Sequence, residues 1–179
     1  AVFLKGCPLA CWWCHNPESQ SPAVEMVIRE SRCIECGACV DACPRGAISR
    51  GAEGIATDME KCTRCGTCAS VCFADARQAV GYEASAETVV AEIARDIPFY
   101  EQSGGGATFS GGEPLMQLEF LEELLRLCGD MKIHTALDTC GYAPWEAIER
   151  IRGRVDLFLY DLKIVDDVRH REITGVSNE

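Results

Sequence analysis

AVFLKGCPLACWWCHNPE, residues 1–18, decides the fold class. A short apolar run, Ala1–Leu4, passes through Lys5 and Gly6 into a loop with Cys7, Cys11 and Cys14, spaced C-x3-C-x2-C. A strand that delivers chemistry-bearing side chains from its carboxyl end is the habit of α/β proteins, whose sites collect at that edge of parallel strands. The pattern recurs three times. ATFSGGEP (107–114), KIHTALDTCG (132–141) and VDLFLYDLK (155–163) are predicted strands. Their polar ends are Ser110-Gly111-Gly112-Glu113, Asp138-Thr139-Cys140-Gly141 and Asp161-Leu162-Lys163. Apolar spacing predicts helices over 85–102, N-capped by Ser85, over 114–129, stopped by Gly129, and over 143–153, with Pro144 at its start. The run 155–163 is continuously apolar, as in a parallel strand buried on both faces. Alternating strands and helices imply βαβ units and a parallel sheet. Four strands do not close a barrel, so the expected fold is α/β, a partial (β/α) barrel.

Residues 31–81 interrupt this pattern with an internal repeat. CIECGACVDACPRGAI (33–48) and CTRCGTCASVCFADAR (62–77) share C-x2-C-G-x-C-x3-C at an offset of 29 positions. Three thiols on one tight loop suit a cubane cluster better than zinc, and C-x2-C-x2-C-x3-C is ferredoxin spacing. On that pattern one [4Fe–4S] cluster takes Cys33, Cys36, Cys39 and Cys72, and the other takes Cys62, Cys65, Cys68 and Cys43. Pro44 follows the first run whereas Phe73 follows the second, which removes no ligand. Residues 19–30 are expected to be a linker with a short extended piece.

The chain has 179 residues, 47% of them hydrophobic, enough for a real core. No apolar run is long enough to span a membrane and no signal peptide is visible. The first residue is Ala and a strand starts at once, so a fragment trimmed at its start is expected. The net charge is −11, with 19 acids against 9 bases in residues 82–179. An acidic body excludes nonspecific nucleic-acid binding, which needs a basic face. Eleven of the 13 cysteines fall in three clusters. In a long unsignalled chain that points to a reduced cytoplasmic metalloprotein rather than a disulfide scaffold.

The opening triplet has no fourth cysteine at ferredoxin spacing. Cys128, near a helix end, suits core packing. Cys140, at a strand end, either approaches the site or fills a turn. His15 directly follows Cys14 and suits a hydrogen bond that holds the loop. Trp12 and Trp13 either shield the metal site or pack in the core. A cluster on Cys7, Cys11 and Cys14 alone leaves one iron open, and open positions are where metals do chemistry.

With C-x3-C-x2-C, the segments WWCHNPES, GGGATFSGGEPL, DTCGY, LYDLK and TGVSNE together resemble the glycyl radical enzyme activating enzymes. These are radical S-adenosylmethionine (SAM) proteins, and the two-cluster insert resembles the subgroup that activates dehydratases, decarboxylases and lyases. The resemblance covers nearly the whole chain. It implies residues 1–20 as first strand and SAM-cluster loop, 21–81 as a ferredoxin-like insert, and 82–179 as the barrel continued, with further strand–helix units after TGVSNE. It implies three [4Fe–4S] clusters and SAM, an anaerobic cytoplasmic oxidoreductase, a glycyl radical enzyme as protein substrate, and a flavodoxin or ferredoxin reductant. The implied reaction is reductive cleavage of SAM to methionine and a 5′-deoxyadenosyl radical, which takes hydrogen from a glycine of the partner. Cys7, Cys11 and Cys14 are the implied catalytic ligands. Gly111 and Gly112 are expected to let backbone approach the methionine ammonium, with Glu113 accepting a charge-assisted bond from it. Asp138 and Thr139 are implied beside the methionyl group, and Asp161 and Lys163, two apart on a strand and so on one face, are implied to contact SAM.

Three other readings compete. A ferredoxin-like electron carrier would not bind SAM. A radical SAM enzyme for a small molecule or peptide would use the insert as auxiliary clusters. A zinc-binding interaction module would hold no iron.

Overall fold

The computed structural model describes residues 1–178. Glu179, which closes TGVSNE, lies outside the described residues. The strands are β1 (Val2–Leu4), β2 (Glu25–Ile28), β3 (Ile48–Gly51), β4 (Gly54–Thr57), β5 (Arg77–Val80), β6 (Gly106–Gly111), β7 (His134–Thr139) and β8 (Leu157–Tyr160). The helices are α1 (Ala38–Ala42), α2 (Thr67–Ser70), α3 (Ala86–Ala94), α4 (Ile97–Ser103), α5 (Leu118–Asp130), α6 (Trp145–Ile151) and α7 (Asp167–Thr174). The chain divides into two compact units, one of residues 1–23 with 83–179 and one of 24–82.

In the first unit β1, β6, β7 and β8 form one sheet in that order, every pair parallel. The register sets Val2, Phe109, Leu137 and Phe158 in one cross-sheet row, on the face that packs against the helices. Leu121, Leu124, Leu125 and Ile151 complete that core without exposed surface beyond a trace. Side chains alternate between faces, so the next row, Phe3, Ser110, Asp138 and Leu159, stands on the opposite face. There Ser110 donates to Asp138 across adjacent strands at 2.7 Å. The α/β class with a parallel sheet is therefore as expected.

Several boundaries differ from the sequence expectation. The single helix over 85–102 is two. Ser85 does cap α3, accepting from the Thr88 N–H. Pro98, however, has no N–H, and its ring would crowd the Ala94 carbonyl four residues back, so α3 ends there and α4 begins afresh. Gly129 does not stop its helix. It lies inside α5, and Lys132, at φ 57°, makes the turn instead. Pro114–Gln117 is a 3₁₀ turn ahead of α5, and Pro144 sits at the N-cap of α6. The strand over 155–163 shortens to β8 and is not buried on both faces: Leu159 is 45% exposed. Among the described residues β8 is the sheet's last strand, and no further strand pairs with its outer edge. Helix α7 was not predicted, although Asp166 caps it by accepting from the Arg169 N–H and Gly175 ends it in the left-handed region.

The second unit repeats its backbone as it repeats its sequence. Glu35 and Arg64 both take a left-handed φ, as do Gly37 and Gly66, and Gly46 and Asp75, all pairs 29 positions apart. Gly37 and Gly66 start the short helices α1 and α2. Strand β2 pairs antiparallel with β5, and β3 with β4. Cys39, Ile48 and Cys68 form a small buried core.

Leu124 is fully buried between the sheet and the helices. Leu124→Ala is expected to lower unfolding stability by about 2–5 kcal/mol. Leu162→Ala, at an exposed position, is expected to cost under about 0.5 kcal/mol. Thermal melts followed by circular dichroism check both.

Candidate active site

The carboxyl ends of the four parallel strands open on one cavity of about 330 Å³. Cys7, Cys11 and Cys14 line it, together with Ser110, Gly111, Gly112, Asp138, Thr139, Asp161 and Lys163. Every residue expected around SAM is thus gathered there except Glu113.

The two glycines line the cavity and also let neighbouring backbone come close. Gly111 has φ +115°, and a Cβ on it would strike the backbone of Leu4. A Cβ on Gly112 would strike the carbonyl oxygens of Gly6 and Ser19. The space a side chain would need is filled by the backbone of Leu4, Gly6 and Ser19. The contact is hydrogen-bonded: Gly112 donates to the Leu4 carbonyl at 2.8 Å and Glu113 to the Gly6 carbonyl at 2.7 Å. It fixes where Cys7 leaves β1.

Glu113 has no exposed surface. Its carboxylate accepts from the Leu115 N–H at 3.0 Å, the Thr139 hydroxyl at 2.7 Å, the Cys140 N–H at 2.9 Å and the Cys140 thiol at 2.9 Å. It stands behind the cavity wall and ties the turn after β6 to the turn after β7. Burial, and then the neighbouring Glu113, push the Cys140 thiol well up. Cys140 lines the cavity but spends its proton on Glu113. Cys128 is fully buried in the core, as its helix-end position suggested, and burial pushes it up to about 11.

Asp161 and Lys163 lie past the end of β8 and pair with each other while both line the cavity. Burial pushes the Cys7 and Cys11 thiols up, and Lys163 opposes the shift at Cys11. Trp12 is 72% exposed and Trp13 44%, so neither packs in the core, and Trp13 borders the cavity. His15 also borders it.

Sequence reasoning missed what holds Cys11. Its neighbours Ala10 and Trp12 donate their N–H groups to the carbonyls of Thr174 and Ile173, at 2.7 and 3.2 Å. Those carbonyls belong to the last turn of α7, where a helix leaves its own acceptors unmatched. The turn is closed from within. The buried Thr174 hydroxyl donates to the His170 carbonyl at 2.8 Å, and the His170 ring meets the Val176 carbonyl at 2.7 Å. The signal was there in H-R-E-I-T-G, where glycine follows a threonine in the last helical turn.

In the second unit the cysteines gather as two sets of four. Cys33, Cys36 and Cys39 share a pocket with Cys72, and Cys62, Cys65 and Cys68 share one with Cys43. Among the described residues no three histidine, cysteine or acidic side chains stand close enough to share one metal ion.

The profile of the Radical SAM superfamily matches residues 59–179. The chain belongs to the radical SAM superfamily. A 4Fe-4S dicluster domain matches residues 25–90. Iron–sulfur clusters and SAM are therefore the cofactors of this radical SAM chain. The thiol sets and the polar cavity fit them. The trans-4-hydroxy-L-proline dehydratase activating enzyme of Clostridioides difficile is 48% identical over 99% of this chain and 59% of its own length. The choline trimethylamine-lyase activating enzyme of Oleidesulfovibrio alaskensis is 44% identical over 99% and 58%. The isethionate sulfite-lyase activating enzyme of Nitratidesulfovibrio vulgaris is 43% identical over 99% and 60%. The radical SAM chain thus spans about three-fifths of the length of these relatives. No helix among the described residues is long and apolar enough to cross a membrane.

The α7 turn gives a test. Thr174→Val removes the hydroxyl at nearly constant volume and is expected to weaken iron retention at the Cys7, Cys11 and Cys14 site by on the order of tenfold. Thr174→Ser is expected to keep it. Chelator-challenge iron loss, read against the insert clusters of the same chain, checks this.

Proposed function

We propose that the complete protein is an activating enzyme for a glycyl radical enzyme, with three [4Fe–4S] clusters. The observation that supports it best is the shared cavity, in which a three-thiol set faces polar groups from the ends of β6, β7 and β8. Cys7, Cys11 and Cys14 hold one cluster and leave one iron without a protein ligand. When bound, that cluster and SAM supply one-electron carbon–sulfur cleavage and the radical that takes hydrogen from a glycine of the partner protein.

The chain's own residues bind and orient. The Asp138 carboxylate, fixed by Ser110, offers an acceptor for the methionine ammonium. Lys163, held by Asp161, offers a cation for a SAM carboxylate. Gly111 and Gly112 keep the strand ends close enough for both to reach one ligand. Glu113 acts indirectly, by holding Thr139 and Cys140 in place, and Cys140 stays a thiol rather than a fourth ligand. Trp13 screens the cavity from water.

Cys33, Cys36, Cys39 and Cys72 hold the second cluster, and Cys62, Cys65, Cys68 and Cys43 the third. These sites would be ligand-complete, and the chemistry the clusters would supply is one-electron transfer from a flavodoxin or ferredoxin. The relatives' activities support a glycyl radical enzyme as the protein substrate.

Anaerobic reconstitution of the complete natural protein tests the reading. Roughly twelve irons, as three cubanes require, are expected, with one reduced EPR signal altered by SAM and release of methionine and 5′-deoxyadenosine. Roughly eight irons and a spectrum indifferent to SAM would overturn it in favour of an electron carrier.

A further inference from the structure

The two halves of the insert repeat differ at one buried position. Ile48 and Arg77 are equivalent at the offset of 29 that relates the cysteines. Both are buried, at 5% and 4% exposure. Ile48 lines the pocket of Cys43, Cys62, Cys65 and Cys68, and Arg77 lines the pocket of Cys33, Cys36, Cys39 and Cys72. One half of the repeat therefore places an aliphatic side chain beside a cluster site where the other places a cation.

A guanidinium is charged at every accessible pH, and burying it without an anion is costly. Arg77 donates to the Thr57 hydroxyl at 2.7 Å, and its charge opposes the burial that pushes the Cys68 thiol up. Among the described residues no carboxylate pairs with it. The groups left to balance the charge are the cysteine sulfurs of its own pocket and Cys68 of the other site, which are thiolates when they hold a cluster. Arg77 thus lines one ligand set and bears by its charge on Cys68 of the other.

We infer that Arg77 is a fixed cation between the two insert clusters that makes them easier to reduce. This rests on the reading that the insert holds two clusters. A cluster gains negative charge when it accepts an electron from an external one-electron donor, with no bond formed or broken. A cation held nearby at low local dielectric favours the reduced form, and so do hydrogen bonds to ligand sulfur. Ile48 offers neither.

The test is an EPR-monitored redox titration of the complete natural protein with Cys7, Cys11 and Cys14 changed to Ala, so that only insert signals remain. Roughly eight irons in this background establish the two clusters, and a lower count counts against the cluster reading rather than against Arg77. Arg77→Met is expected to lower the reduced-to-oxidised ratio at the parent's midpoint by on the order of tenfold. Arg77→Lys is expected to keep it within about threefold. The aliphatic residue at position 48 shows that the repeat tolerates one there. An unchanged ratio in Arg77→Met at full iron, or an equal fall in Arg77→Lys, would overturn the inference. Iron loss from Arg77→Met but not Arg77→Lys would support it, and loss from both would overturn it by making the residue a packing element.

Discussion

A carboxylate with no exposed surface holds the candidate site together. Glu113 takes four hydrogen bonds, one from its own turn and three from Thr139 and Cys140. A buried acceptor left without donors would cost more than any one of these bonds contributes. The ends of β6 and β7 therefore cannot separate without stranding it. The backbone contact of Gly111 and Gly112 on β1 extends the same constraint to the strand that carries Cys7. Three strand ends are locked side by side, and the cavity is what they leave between them.

The cysteine loop needs a second fixture because it leaves β1 after a few residues. Helix α7 provides it. The carbonyls that a helix cannot satisfy by itself accept the N–H groups on either side of Cys11. The loop is thus held at one end by the sheet and in its middle by a helix terminus. Ligands on a short loop need such support to keep their geometry when an iron coordination position stays open.

The insert reaches order differently. Its conformation is local: three pairs of left-handed residues recur at the repeat offset, and each glycine that starts a short helix recurs with them. With a small buried core of cysteine and aliphatic groups, such a unit depends on its metal for much of its stability. Where backbone is so closely repeated, the exchange of Ile48 for Arg77 at one buried position adds a charge and a hydrogen bond to Thr57.

The sequence by itself determined the α/β class, the four strand ends that carry polar groups, and the three cysteine sets. These follow from local rules, namely the period of apolar residues and the spacing of ligands on a tight loop. It also specified the Ser85 cap, because capping is decided within four residues. It missed the break at Pro98 and misplaced the stop at Gly129, where steric detail and turn geometry outweighed the apolar pattern. What tertiary structure decided is which groups face the cavity and which stand behind it. Glu113 looks like a ligand contact in sequence, and the fold makes it a tie between two turns through partners 26 and 27 residues away. Gly111 and Gly112 line the cavity, and the fold also packs them on Leu4, Gly6 and Ser19, which no short stretch of sequence shows. The α7 carbonyls and Arg77 gain their meaning only from neighbours that the fold brings in, since burial and long-range hydrogen bonding are properties of the packed chain and not of any short stretch of it.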